Sequence, residues 1–245
     1  MADHLFVRRE IRDSIIDWIC QSPLLDPEYR YSDLGFFLFH QIIEAKTDTS
    51  LYPFVWYNFY APMGATTLGY NPLSRFPAER IVPTENDLFY RKQLLQGYVQ
   101  DAGAALLGGV SGNAGLFGCA NDLAKLMQMY LNGGWYGERR YIASETLQKY
   151  TSCYNPNEKV NRRGLGFDRP VVDEPEEGPA CDSASSRSFG HSGYTGTLVW
   201  VDPAEDLLFV FLSNRVHPNQ GNYKLIENNT RTAVQQVVYD AITDK

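Results

Sequence analysis

One short stretch of this sequence gathers residues able to do chemistry in a setting that could present them to a ligand. In Phe189-Gly190-His191-Ser192-Gly193-Tyr194-Thr195-Gly196, an imidazole, a hydroxyl and a phenol stand among three glycines. Glycines let a backbone approach a ligand closely, and the apolar run that follows, through Asp202, reads as a strand stiff enough to hold the groups in place. A substrate can be read there along an exposed strand edge. Elsewhere, Tyr31-Ser32-Asp33 reads as a loop placed just before the apolar run Phe36 to Ile43. Metal chemistry has no pattern to support it, because His4, His40, His191 and His217 show neither HxH nor HExxH spacing. His40 falls inside an apolar helix and reads as a satisfied interior side chain. Between positions 106 and 116 lie four glycines, without the GK[ST] or GxGxxG of a phosphate loop, so a tight backbone crossing is expected. Cys20, Cys119, Cys153 and Cys181 are far apart and read as buried free thiols, with a Cys153 to Cys181 disulfide open only in an oxidising compartment.

These groups need elements to position them. Ile11, Ile15, Ile16 and Ile19 share one face of an amphipathic helix over Arg8 to Cys20, stopped at Ser22-Pro23. Ser32 or Asp33 can cap the next helix, which would leave Tyr31 in a loop before a buried helix. From Leu51 to Arg91 the chain is aromatic and proline-rich, which predicts short helices and irregular crossings without long strands. A helix beginning at Asn121-Asp122 aligns Leu123, Leu126, Met127, Tyr130 and Leu131 and ends at Gly133-Gly134. Another short helix begins at Ser144-Glu145, and Pro170 to Ser188 reads as a solvated excursion. Strand signal is concentrated late. Gly196 to Asp202 and Leu207 to Ser213 form a hairpin around Pro203-Ala204-Glu205-Asp206, and the apolar second strand is expected to be covered on both faces. A closing helix over Leu225 to Ile242 can lie on that sheet. Helices first, a small antiparallel sheet and a final helix make the fold class α+β.

Composition narrows the function classes. The 245 residues are 44% hydrophobic and 21% charged, with a formal net charge of −7. That excludes a disordered or coiled-coil chain and gives no basic footprint for nucleic acid. No apolar run reaches the roughly 18 residues of a membrane span, and the first ten residues lack the apolar core of a signal peptide, so the chain as written is expected to stay where it is made. Small molecules or neutral polymers are the expected partners.

Tyr31-Ser32-Asp33, then the stretch from Gly108 to Gly134, then Phe189 to Pro203 and Leu212 to Pro218 follow one another in an order that resembles the serine β-lactamase and penicillin-binding-protein superfamily. More narrowly, the text is similar to the serine-hydrolase domain that some bacteria carry behind a family 3 glycoside hydrolase. The resemblance implies a β-lactamase/transpeptidase-like fold over 1–245, with a mainly helical part over 1–150 and the sheet and last helix over 151–245. It implies ester or amide hydrolysis through an acyl-enzyme, an exported parent, a peptidoglycan-like or small-molecule substrate and no cofactor. Tyr31 becomes the candidate general base, and Asp33 stands where the family has Asn. His191-Ser192-Gly193 is the strand-edge triplet, and the Tyr194 N–H is an oxyanion donor.

Departures from the family pattern are equally specific. No serine has lysine three positions on, the nearest string being Thr146-Leu147-Gln148-Lys149. In the family the S-x-x-K element precedes the tyrosine by many tens of residues, so the expectation is that this chain starts after it. Asn113 and Gln100 replace histidines of the related pattern. An inert fragment follows, with an exposed strand edge where N-terminal strands and the nucleophile helix would pack, and self-association at that edge. Two other expectations stand beside it: a non-catalytic module that holds peptidoglycan or glycan fragments, and complementation by a separate chain.

Overall fold

The computed structural model describes residues 1–26, 29–154, 162–171 and 178–243. They gather into two compact units, one of Met1–Cys119 with Val216–Gln220 and one of Ala120–Arg215 with Gly221–Lys245.

The first unit opens with α1 (Ile11–Gln21) and α2 (Leu34–Thr47). The isoleucine face of α1 is half-buried, and Arg12 pairs with Glu44 of α2. Helix α2 buries only Phe37 and His40 and leaves Phe39 and Ile42 exposed, so the buried helix expected after Tyr31 is a half-buried one. His40 is interior as expected, with Nε2 2.9 Å from Glu44 Oε1, yet its Nδ1 is buried without a partner. Next come α3 (Leu51–Val55) and a π-turn over Trp56–Tyr60. The proline-rich stretch also contains β1 (Pro83–Asp87), paired antiparallel with β2 (Gln93–Gln96). Its sequence, PTEND, has no apolar alternation to announce a strand, and Pro sits at the first position, where no ladder donor is lost. Asp87 closes the hairpin: its carboxylate accepts the N–H groups of Phe89, Tyr90 and Arg91 at 2.8–3.0 Å and the Arg91 Nε at 2.8 Å.

After β2, Asp101 caps α4 (Ala102–Leu106) by accepting the Ala104 N–H at 2.6 Å. The glycine-rich stretch is the tight crossing expected of it. A Cβ on Gly112 would lie 2.3 Å from the Phe36 carbonyl oxygen, so only glycine lets the two backbones pass. Here the two unexplained amides find work. Asn113 donates to Asp101 at 3.2 Å and accepts from Ser111 at 2.7 Å, while Gln100 donates to the buried Glu85 carboxylate at 2.9 Å.

In the second unit α5 (Ala120–Leu131), the ribbon β3 (Trp135–Tyr136) with β4 (Arg139–Arg140), and α6 (Ser144–Thr151) precede the sheet. The string Thr146 to Lys149 is on α6, with both ends exposed. Strands β5 (Phe189–Ser192), β6 (Leu198–Asp202) and β7 (Leu207–Phe211) run antiparallel in that order. Alternation sorts their side chains. Phe189, Val199, Val201, Leu208 and Val210 meet Leu123, Met127 and Tyr130 of α5, while Leu198, Trp200, Phe209 and Phe211 meet Ala180 and Val238 on the other side. Both faces of β7 are therefore covered, as its unbroken apolar sequence requires. Its outer edge pairs with no further strand among the described residues.

The closing helix is two helices, α7 (Lys224–Glu227) and α8 (Thr230–Thr243), broken where Asn229 adopts φ +47°. The inner face of α8 also differs from expectation: Gln235 and Tyr239 are buried, Val234 and Val237 exposed. Burial is offset at the Gln235 Oε1 and the Tyr239 hydroxyl, which find partners, while Gln235 Nε2 is buried without one among the described residues. Gln235 accepts the Cys181 N–H at 3.0 Å, and the Tyr239 hydroxyl donates to Asp202 at 2.8 Å. The same contacts correct the solvated excursion. Residues 172–177 lie outside the described residues, but Ala180, Cys181 and Ser188 are buried, and Ser185 binds Asp202. All four cysteines are free thiols, but only Cys181 is buried, and burial pushes its thiol up to about 11. No helix among the described residues is long and apolar enough to cross a membrane.

Candidate functional site

The two stretches singled out from sequence fall one in each unit. In the first, Ser32 Oγ accepts the Leu34 N–H at 3.2 Å, so the serine caps the start of α2. Asp33 is the N-cap residue by position, with helical φ and ψ and no side-chain cap bond, and its carboxylate stands at the positive end of a 14-residue helix. Tyr31 precedes them outside any helix or strand and is 57% exposed.

The second stretch is built by hydrogen-bond alternation along β5. Gly190 turns its N–H and C=O outward, where they bond the Asp168 backbone at 3.0 and 2.7 Å. In an antiparallel ladder the outward and inward groups then alternate. His191 pairs inward with Val199, Ser192 faces outward, the Gly193 N–H turns inward to Thr197 O at 2.8 Å, and Tyr194 lies in the turn that follows β5. Ser192 thus turns its backbone polar groups to the outer edge of β5. Among the described residues no acceptor meets the Tyr194 N–H.

Arginines that sequence reading did not single out hold this edge. Arg231 donates to the Gly193 and Thr197 carbonyls at 3.4 and 3.2 Å, and Arg215 Nε donates to the Tyr194 carbonyl at 3.0 Å. Arg215 is also stacked between the Tyr194 and Tyr223 rings, 4.5 and 4.8 Å from their centres. Burial, and then the Arg215 charge, lower the pKa of Arg231. At the imidazole, Arg163 lies 3.2 Å from His191 Nε2 and 3.2 Å from the buried carboxylate of Asp168, which Arg162 also contacts at 3.0 Å. His191 Nδ1 is 2.8 Å from the Ser192 carbonyl. Nothing local marks these arginines, because the β5-edge groups they contact lie from 21 to 38 residues away in the chain.

Chemically, this edge can receive an extended chain or an acyl group and offer an N–H to a developing oxyanion. It carries no activated hydroxyl of its own. The described residues hold no cluster of three or more His, Cys, Asp or Glu fit for a metal ion.

Comparison with known proteins shows the family and the fold. A family model described as Beta-lactamase matches residues 1–233. A protein from Escherichia coli (strain K12) that bears the name D-alanyl-D-alanine carboxypeptidase is 34% identical over 201 residues, 76% of this chain and 45% of its own length. One of the same name from Salmonella enteritidis PT4 is 32% identical over 235 residues, 89% of this chain and 53% of its own. The chain thus spans about half the length of the curated relatives it matches. Among solved structures, an unliganded simvastatin synthase from Aspergillus terreus aligns with TM-score 0.61 at 16% identity, over 97% of this chain and 63% of that one. A β-lactamase from Mycobacterium bovis aligns with TM-score 0.57 at 17% identity, over 87% and 64%. The fold is the β-lactamase/transpeptidase-like α+β fold, and the chain belongs to the β-lactamase family of serine hydrolases.

Proposed function

We propose that this chain carries the tyrosine and strand-edge half of a serine hydrolase that acts on peptides ending in D-alanyl-D-alanine, and that it does not turn over such peptides by itself. The observation that carries the reading is the Tyr194 N–H, which directly follows His191-Ser192-Gly193 at the end of β5 and meets no acceptor among the described residues. The names of the curated relatives supply the substrate class.

In this reading a serine hydroxyl attacks the penultimate carbonyl and passes its proton to the Tyr31 oxygen. The carbonyl oxygen gains the negative charge and is met by the Tyr194 N–H, with the serine's own N–H as the second donor. Collapse of the tetrahedral species breaks the C–N bond and sends the Tyr31 proton to the departing D-alanine. Water then enters by the same route and releases the acid. Tyr31 needs a neighbouring cation to work near neutrality, since a phenol ordinarily loses its proton near pH 10. The hydroxyl and the lysine of S-x-x-K are not among these 245 residues, so acyl transfer requires a segment that bears them.

The test is release of D-alanine from a peptide ending in D-alanyl-D-alanine, measured for the 245-residue chain and for the chain joined to an S-x-x-K segment. The joined protein is expected to be active and to lose activity with Tyr31→Phe, and Tyr194→Pro, which deletes the N–H, is expected to lower kcat by roughly 10² to 10³. Full activity in Tyr194→Pro overturns the oxyanion assignment. The open β7 edge, made of Leu207, Leu208, Phe209, Val210 and Phe211 without a charge or proline, further supports self-association of the chain alone. Sedimentation velocity is expected to show concentration-dependent association, and a monodisperse monomer contradicts it.

A further inference from the structure

Arginine offers only donors, and a backbone carbonyl only accepts. Arg163 Nη1 lies 3.2 Å from His191 Nε2, and the Ser192 carbonyl lies 2.8 Å from His191 Nδ1. Both contacts are satisfied together by one arrangement, a neutral ring with its proton on Nδ1 and its lone pair on Nε2 turned to the guanidinium. A ring protonated on Nε2 would set an N–H against Arg163 and leave the Nδ1 lone pair facing a carbonyl oxygen. An imidazolium would face a guanidinium at hydrogen-bond distance.

We infer that Arg163 is a positioning residue that sets the tautomer of His191, and that the positive charge at the His191-Ser192-Gly193 triplet belongs to Arg163 and not to the imidazole. The guanidinium is itself held, because its Nη2 contacts Asp168 Oδ1 at 3.2 Å and Asp168 is 2% exposed. Asp168 in turn is tied to the strand by its paired backbone bonds with Gly190. The chain of contacts leaves β5 at Gly190, runs through Asp168, Arg163 and the His191 ring, and returns to β5 at the Ser192 carbonyl. It fixes the ring against the outward edge, and His191 neither gives nor takes a proton in any acyl transfer there. The hydrogen bond made at one ring nitrogen decides which of the two carries hydrogen. As a statement about catalysis this rests on the reading of β5 as the substrate edge; as a statement about the ring it does not.

The experiment is a long-range proton–nitrogen correlation spectrum of the histidine rings in the uniformly ¹⁵N-labelled 245-residue chain near neutral pH, with His191 assigned by the signal lost in His191→Gln. The expected result is a single neutral tautomer, with Nδ1 protonated and Nε2 showing the signature of an unprotonated nitrogen. Arg163→Met is expected to lose that single state, and Arg163→Lys, which keeps a donor and a charge, to restore it. A wild-type ring protonated on Nε2, on both nitrogens, or in a mixture of tautomers overturns the inference, as does an Arg163→Met spectrum unchanged at His191. Should Arg163→Met fail to fold, the wild-type spectrum decides alone. Lack of hydrolysis by any form of the protein leaves these spectra as they are, so failure of the functional reading is distinguishable from failure of this one.

Discussion

At the residue scale the informative groups are those whose environment does more than their type announces. Asp87 is one. Burial by itself raises a carboxyl pKa, but the hydrogen bonds from the Arg91 side chain and from the N–H groups of Tyr90, Arg91 and Phe89 outweigh it and hold Asp87 at about 2, below its ordinary 3.8. Because the folded value is depressed, this contribution is complete above the unfolded value and is lost as pH falls from about 3.8 through about 2. Thermal unfolding followed across that window is expected to show wild type losing on the order of 1 kcal/mol that Asp87→Asn lacks at every pH. Parallel pH profiles for the two proteins would remove Asp87 from the account. Tyr31 and Asp33 were singled out by the resemblance to the family motifs, and His191 with Ser192-Gly193-Tyr194 also by the glycines around them; their chemical roles remain as proposed above. Arg163, Arg215 and Arg231 were not. Arginine is common on surfaces, and what makes these three matter is contact with carbonyls and an imidazole that the sequence does not place beside them.

Element scale shows where periodicity is a sound guide and where it misleads. Helix α5 and the β6–β7 hairpin were legible because their apolar residues repeat at helical and strand spacing and because both elements bury what they repeat. In contrast, α8 carries apolar residues on its exposed side and turns Gln235 and Tyr239 inward, where the Gln235 oxygen accepts from Cys181 and the Tyr239 hydroxyl donates to Asp202. Strand β1 was hidden for the related reason that its buried residues, Thr84, Glu85 and Asp87, are polar. The β5–β6 pair adds a steric requirement. A Cβ on Gly190 would lie 2.1 Å from the Val199 carbonyl oxygen and 2.4 Å from the Trp200 ring, so the two strands pair at this register only over a glycine. Gly190→Ala is therefore expected to cost roughly 1–3 kcal/mol in denaturant unfolding, through forced backbone shifts at the very strand that bears His191. A variant as stable as wild type would show that the strands are not so closely set.

On the scale of the whole molecule, the family fold was legible because several weak motifs come in one order along the chain, each too short to mean much alone. The division into two compact units was not, since residues 216–220 leave one unit to join the other, and no local composition marks such an excursion. The account of function joins these levels: a phenol before α2, an open N–H at the end of β5, and a serine–lysine pair that these 245 residues lack. The most direct test is covalent labelling by a penicillin, followed by intact mass. The 245-residue chain alone is expected to gain no mass, and the same chain joined to an S-x-x-K segment to gain one penicilloyl group on that serine. A penicilloyl adduct on the 245-residue chain alone, or none on the joined protein, would contradict the account.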